Sequence, residues 1–271
     1  MMKDITIGQY FPGNSLLHRM DPRMKLVLTL LFIVLVFLPQ NWWALLAVAL
    51  FLVPIIALSR LPLSLLWRSA KPVLFIVTFT AVLNVLYVST GDTVWQWQFI
   101  HITTGGLQSA GFIAARIFCL ILGSSLLTYT TTPTALTDAI ERLLAPLKVV
   151  GANPHELAMM MTIALRFIPT LMEETDKIMS AQKARGADME SGGLVQRVKA
   201  LVPILIPLFV SSFRRAYDLA MAMECRCYQG GEGRTRMKQL KTAPRDWLAL
   251  AAYLLVGTGI VLLNIYFGKV I

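Results

Sequence analysis

Residues 26–58 form an uncharged, apolar run of 33 residues, broken only at Pro39-Gln40-Asn41. One bilayer crossing takes about 20 apolar residues, so this run is too long for one span and reads as a tight hairpin of two. The first arm is short unless its helix begins earlier. Asp21 as N-cap with Pro22 at the first helical position supplies the missing turn. Apolar runs over about 72–88, 107–128 and 247–267 bring the expected spans to five. At 56% hydrophobic and 15% charged, the chain is too apolar for the soluble class, where about 25% is charged. The predicted fold is an all-α integral membrane protein embedded in the lipid bilayer. Spans 1–4 fall within 1–130, a cytoplasmic module of long amphipathic helices within 131–245, and the last span within 246–271.

Lysine and arginine set the orientation, because cytoplasmic segments carry the excess. Residues 1–25 hold four, the 59–71 loop three and segment 131–246 sixteen, whereas the 39–41 turn and the 89–106 loop hold none. The N-terminus and the long segment are therefore expected in the cytoplasm. The 89–106 loop, with Trp95 and Trp97, is expected outside at the interface. This distribution also assigns the net charge of +10 to membrane topology, with no nucleic-acid partner. The polar N-terminus has no apolar run ahead of a cleavage site, so no signal peptide is expected.

The long segment carries helical periodicity. Thr132-Pro133 is a cap-and-start signal followed by Leu136, Ala139, Ile140, Leu143, Leu144 and Leu147 at helical spacing. Asn153-Pro154 with Glu156 is a second start, with Glu156 at the capping-box position. Its stripe runs Leu157, Met161, Ala164, Ile168, Leu171, Met172, Thr175, Ile178, Met179. After Gly192-Gly193 comes a third, Val198, Leu201, Leu205, Leu208, Ser212, Ala216, Leu219, Met223. Helices over 154–185 and 194–227 would each be roughly 50 Å long if straight, with Pro169, Pro203 and Pro207 as kink sites.

Both long helices end on one arginine between small residues: Ala184-Arg185-Gly186 and Cys225-Arg226-Cys227. A cation at a helical C-terminus is favoured by the helix dipole, which is the plain reading of either motif alone. A matched pair suggests more, since small neighbours let a guanidinium enter a partner's groove and meet carboxylates bidentately. Arg116, inside the fourth span, either faces the bundle interior, as intramembrane charges usually do, or snorkels toward the outer face. Gly106, Ala110 and Ala114, with Gly111 and Ala115 beside them, suit close helix packing. Cys225-x-Cys227 lacks the companion ligands of a structural metal site, so no metal is expected.

Gly230-Gly231-Glu232-Gly233-Arg234 lacks the spacing and lysine of a phosphate loop. None of the five expected spans contains Asp or Glu, so no proton or sodium relay is evident. Glu173, Glu174 and Asp176 have no accompanying nucleophile or ligand set. The chain therefore does not read as an enzyme and implies no cofactor. A stand-alone secondary transporter or channel is the alternative, which intramembrane carboxylates or internal repeats would favour.

The segment Leu17-His18-Arg19-Met20-Asp21-Pro22-Arg23-Met24-Lys25 resembles the signature of the transmembrane (T) component of energy-coupling-factor transporters. The resemblance continues through Thr130-Thr131-Thr132-Pro133, Ala164-Leu165-Arg166-Phe167-Ile168-Pro169 and Ala181-Gln182-Lys183-Ala184-Arg185-Gly186. It closes on Ala222-Met223-Glu224-Cys225-Arg226-Cys227-Tyr228. It implies a vitamin or micronutrient importer of ATP-binding-cassette type in a prokaryotic cell membrane. In this family the T component links two cytoplasmic ATPase subunits to a substrate-binding S component. Its two X-Arg-X motifs dock into the ATPases, and here they fall on Arg185 and Arg226. The second is usually Ala-Arg-Gly in the family, so the flanking Cys225 and Cys227 are a departure.

Overall fold

In a computed structural model of the protein, the described residues are 9–87, 93–97, 100–151, 153–187, 193–231 and 240–267. Eight α-helices are described among them: α1 (Pro22–Phe37), α2 (Trp42–Ser59), α3 (Leu63–Tyr87), α4 (Thr104–Thr130), α5 (Pro133–Leu143), α6 (Pro154–Ala184), α7 (Leu194–Cys225) and α8 (Pro244–Phe267). The stretch expected as a loop before α4 contains an antiparallel hairpin, β1 (Thr93–Trp97) with β2 (Ile100–Thr103). Trp95 and Trp97 lie on β1, but their side chains fall outside the described residues, as do Gly192, Glu232, Gly233, Arg234 and Lys269. The chain divides into two compact units. One is built on 8–139 with 239–271, the other on 140–238.

The first unit is a helical bundle, and its starts follow the capping chemistry. The Asp21 carboxylate accepts from the Arg23 backbone N–H at 2.9 Å, with Pro22 at the first helical position. The Thr132 hydroxyl accepts from Ala135 N at 3.3 Å ahead of α5. α1 runs only 16 residues, about 24 Å, so it falls short of a full bilayer core by length. α2, α3, α4 and α8 are long and apolar enough to cross, and so is residues 198–225 of α7. Five helices meet this criterion of length and composition, as many as the spans expected, but α7 is one of them and α1 is not. α3 also begins earlier than expected: Arg68 and Lys71, assigned to a loop, sit in its first turns, and Pro72 lies inside the helix.

α1 and α4 lie antiparallel, and two basic side chains mark the register. At one end the Lys25 ammonium donates to Thr130 O at 2.9 Å and to the Thr131 hydroxyl at 3.3 Å. At the other, Arg116 Nη2 donates to Pro39 O at 2.5 Å. Between them Phe32, Leu35 and Val36 of α1 pack with Ala44, Val48 and Leu52 of α2, Cys119 and Leu126 of α4, and Ile260 of α8. A Cβ on Gly123 would lie 2.6 Å from Phe32 Cδ1 and 2.7 Å from Cζ, so glycine there sets the α1–α4 approach. The small residues singled out in the sequence contribute less. Gly106 and Ala110 are buried, but a Cβ on Gly111 would meet Trp42 at an ordinary 3.4 Å.

The short α1–α2 hairpin leaves its turn among apolar helices, where unsatisfied backbone groups are costly. Three side chains meet that requirement. Besides Arg116 on Pro39 O, Asn264 donates to Leu38 O at 2.8 Å and accepts from Gln40 N at 3.1 Å. Asn41 caps α2 through Ala44 N at 2.7 Å and donates to Leu263 O at 3.1 Å. Arg116, half-buried, reaches from α4 to this turn. Its guanidinium also lies 4.7 Å from the centroid of the Phe112 ring, within cation–π range.

In the second unit, α6 and α7 pair antiparallel. Gln182 reaches Pro203 O at 3.4 Å, Glu174 pairs with Arg215 at 2.8 Å, and Gly231, just beyond α7, packs on the His155 ring at the start of α6. Asn153 is the N-cap of α6, but the expected capping box does not form. Glu156 instead accepts from the Asn153 side chain at 3.2 Å. A half-box does form at α7, where Gln196 accepts from Gly193 N at 3.1 Å.

Candidate functional site

The two arginine motifs end their helices in the same way. Arg185 is the C-cap of α6, followed by Gly186 at φ +84°. Ala187 N donates to Gln182 O at 3.0 Å and Gly186 N to Lys183 O at 3.0 Å. Arg226 is the C-cap of α7, followed by Cys227 at φ +55°. Tyr228 N donates to Met223 O at 3.0 Å and Cys227 N to Glu224 O at 2.8 Å. Both are Schellman motifs, in which the residue after the cap takes the left-handed conformation that turns the chain away from the helix axis. Sequence reasoning treated the small flanking residues as room for a guanidinium. The backbone adds a second requirement, since Gly186 and Cys227 occupy the same left-handed position. Cysteine carries a conformational cost there that glycine does not.

The turn-away leaves the cap residue at the tip. Arg185 and Arg226 are exposed, together with Ala184, Gly186, Cys225 and Cys227. Among the described residues neither guanidinium makes a hydrogen bond or ion pair. The antiparallel pairing puts the two tips at opposite ends of the α6–α7 pair, so their separation is of the order of the 31-residue α6 itself, about 45 Å. The motifs therefore do not converge on one pocket. They form two separate basic points.

The faces between the tips differ from the sequence expectation. On α6 the later part of the stripe, Leu171 to Met179, is partly covered, whereas Leu157, Met161 and Ile168 are exposed. On α7 the covered side runs through Ile204, Leu208, Ser211, Arg215, Leu219 and Met223. A second apolar stripe, Val202, Ile206, Phe209, Phe213 and Tyr217, is exposed. Sequence periodicity missed it because α7 is apolar around most of its circumference over its first half. The Glu174 carboxyl is held below the usual carboxylate range, first by the hydrogen bond from Ser211 and then by Arg215. This polar contact pins the two helices together beside the uncovered face.

Residues 13–237 match the family model described as CbiQ, cobalt transport protein. The energy-coupling factor transporter transmembrane protein EcfT of Ruminiclostridium cellulolyticum is 51% identical over 267 residues, covering 98% of this chain and 100% of that one. EcfT of Bacillus subtilis is 51% identical over 246 residues, covering 91% and 93%. EcfT of Lactococcus lactis subsp. cremoris is 44% identical over 255 residues, covering 94% and 96%.

Proposed function

The chain belongs to the family of energy-coupling factor transporter transmembrane proteins, and from that premise we propose that it is the coupling scaffold of an ATP-driven vitamin or micronutrient importer. It has no catalytic role of its own in this reading. Arg185 and Arg226 dock one ATPase subunit each, within the motifs Ala184-Arg185-Gly186 and Cys225-Arg226-Cys227. The uncovered apolar face of α6 and α7 carries the substrate-binding S component. The chain is a multi-pass protein of a prokaryotic plasma membrane, with its N-terminus and segment 131–245 cytoplasmic, a placement supported by the distribution of lysine and arginine. The observation that carries the proposal is the repeated C-cap, which presents one arginine, without a partner among the described residues, at each end of an antiparallel helix pair.

Nucleotide-driven movement reaching the tips has a mechanical route inward. Each arginine terminates a helix of more than 30 residues, and the pair is pinned by Glu174–Arg215 at 2.8 Å. Displacement of either tip therefore moves the exposed stripe between them. Substrate recognition belongs to the S component in this reading.

The test is charge reversal. Loss of a desolvated charge pair at an interface costs about 2–5 kcal/mol, far more than loss of a rim charge. Arg185→Glu combined with Arg226→Glu is expected to abolish ATPase co-purification and uptake while membrane insertion stays normal. Each single alanine is expected to give a partial defect. Lysine is expected to rescue poorly, because an ammonium cannot make the planar bidentate fork. Arg234→Glu with Arg236→Glu, further along the sequence, is the charge-matched control. Intact transport in the double reversal would reduce the tips to ordinary capped helix ends.

A further inference from the structure

Within the helical bundle a cavity of about 320 Å³ lies among α1, α2, α4, α8 and the segment before α1. An apolar cavity of about 150 Å³ already holds a benzene, so this one has room for a stretch of hydrocarbon chain. Phe32, Phe51, Gly123 and Tyr253 line its aromatic end. Its other end is basic, where Lys25 of α1 and Arg245 of α8 line it beside Thr130, the last residue of α4. Lys25 and Phe32 are seven residues apart on one helix, so the cavity runs about 10 Å from charged rim to aromatic floor.

The wall offers little to a polar solute. Thr29 and Thr130 both donate their hydroxyls to carbonyls of their own helices, Lys25 O at 2.8 Å and Leu126 O at 2.7 Å. The two cations differ in availability. The Lys25 ammonium is committed to Thr130 O and the Thr131 hydroxyl, and its charge is offset by the Asp246 carboxylate. Arg245 is exposed and makes no hydrogen bond or ion pair among the described residues. An apolar slot with one available guanidinium at its mouth is complementary to an anion that carries a hydrocarbon tail.

We infer that this cavity is a binding site for one anionic phospholipid, with its phosphate on Arg245 and one acyl chain in the cavity against Phe32 and Tyr253. The site lies wholly within the bundle and is independent of the arginine tips. The chain makes the apolar contribution and the guanidinium selects the headgroup. An annular lipid retained for its tail alone would show no headgroup preference.

The probe is the full chain released from vesicles containing phosphatidylglycerol and phosphatidylcholine in equal amounts, with retained lipid counted by native mass spectrometry. One basic residue near an anionic surface contributes about 1 kcal/mol, or roughly fivefold. Arg245→Gln is expected to lower the phosphatidylglycerol preference about fivefold, and Arg245→Lys to keep most of it. Ala249→Phe, which fills the cavity from its wall, is expected to reduce retention of both lipids. Ala252→Leu is the milder filling variant and should act in the same direction. Lys241→Gln, an exposed cation not among the lining residues, should change nothing. The inference is overturned by an equal loss in Lys241→Gln, which means diffuse surface charge. It is overturned equally by unchanged retention in both filling variants, or by full displacement with glycerol phosphate, which would make the tail irrelevant.

Discussion

Gly123 and Phe32 give a sharp test of how α1 and α4 are held together. Gly123→Ala places a methyl where the Phe32 ring already is, with Cδ1 2.6 Å and Cζ 2.7 Å away. Real Cβ atoms do not come so close, so ring or helix must shift. Phe32 is 2% exposed and its ring meets Tyr253 edge-on at 6.5 Å, so the ring can retreat only into the cavity that it lines. Overpacking of this kind costs about 1–3 kcal/mol, and the cavity beside the ring, which gives it somewhere to turn, argues for the lower half of that range. Removing the ring reverses the sign. A Phe32→Ala background removes the three atoms nearest the new methyl, and alanine is preferred over glycine inside a helix by about 1 kcal/mol. Phe32→Ala alone should cost about 3–5 kcal/mol, and adding Gly123→Ala should recover part of it. The expected coupling is about 2–3 kcal/mol, well above the roughly 0.5 kcal/mol scatter of independent sites. Reversible unfolding in mixed micelles, followed by circular dichroism, measures all four corners of the cycle. If Gly123→Ala has the same sign in both backgrounds, Gly123 does not set the approach.

Three further outcomes follow from single sites. Gly186→Ala should speed hydrogen exchange at the Ala187 amide, and Cys227→Gly should slow it at Tyr228, each by about five- to thirtyfold. These factors correspond to the roughly 1–2 kcal/mol cost of a left-handed L-residue, and equal exchange in wild type and variants would contradict the cap assignment. Arg116→Met leaves Pro39 O without its donor and should destabilise the bundle by about 1–3 kcal/mol, whereas Arg116→Lys keeps a donor and should cost less; thermal melting in detergent distinguishes them. The depressed Glu174 carboxyl stabilises the α6–α7 pair fully above about pH 4.3, the unperturbed glutamate value, and that contribution is lost as pH falls through the lower folded value. Spin-label distances between α6 and α7 should lengthen on acidification, and Glu174→Gln should remove that dependence.

Much of this protein is local and therefore legible in the order of its residues. Asp21-Pro22 and Thr132-Pro133 announce helix starts because capping involves only near neighbours in sequence. The basic bias of segment 131–246 and the two X-Arg-X endings are likewise properties of composition and spacing. Contacts between distant residues were not legible. Nothing in the sequence pairs Arg116 with the Pro39 carbonyl, or Asn264 with the same turn; those matches arise because α1 is short and its turn needs donors from α4 and α8. The left-handed position of Cys227 was hidden because a C-cap is recognised by glycine, and cysteine hides the signal. The covered face of α7 was obscured for a related reason. A helix apolar on most sides has no single stripe to point inward, so only its pairing with α6, through Ser211 and Arg215 on Glu174, decides which side is buried and which is left for a partner.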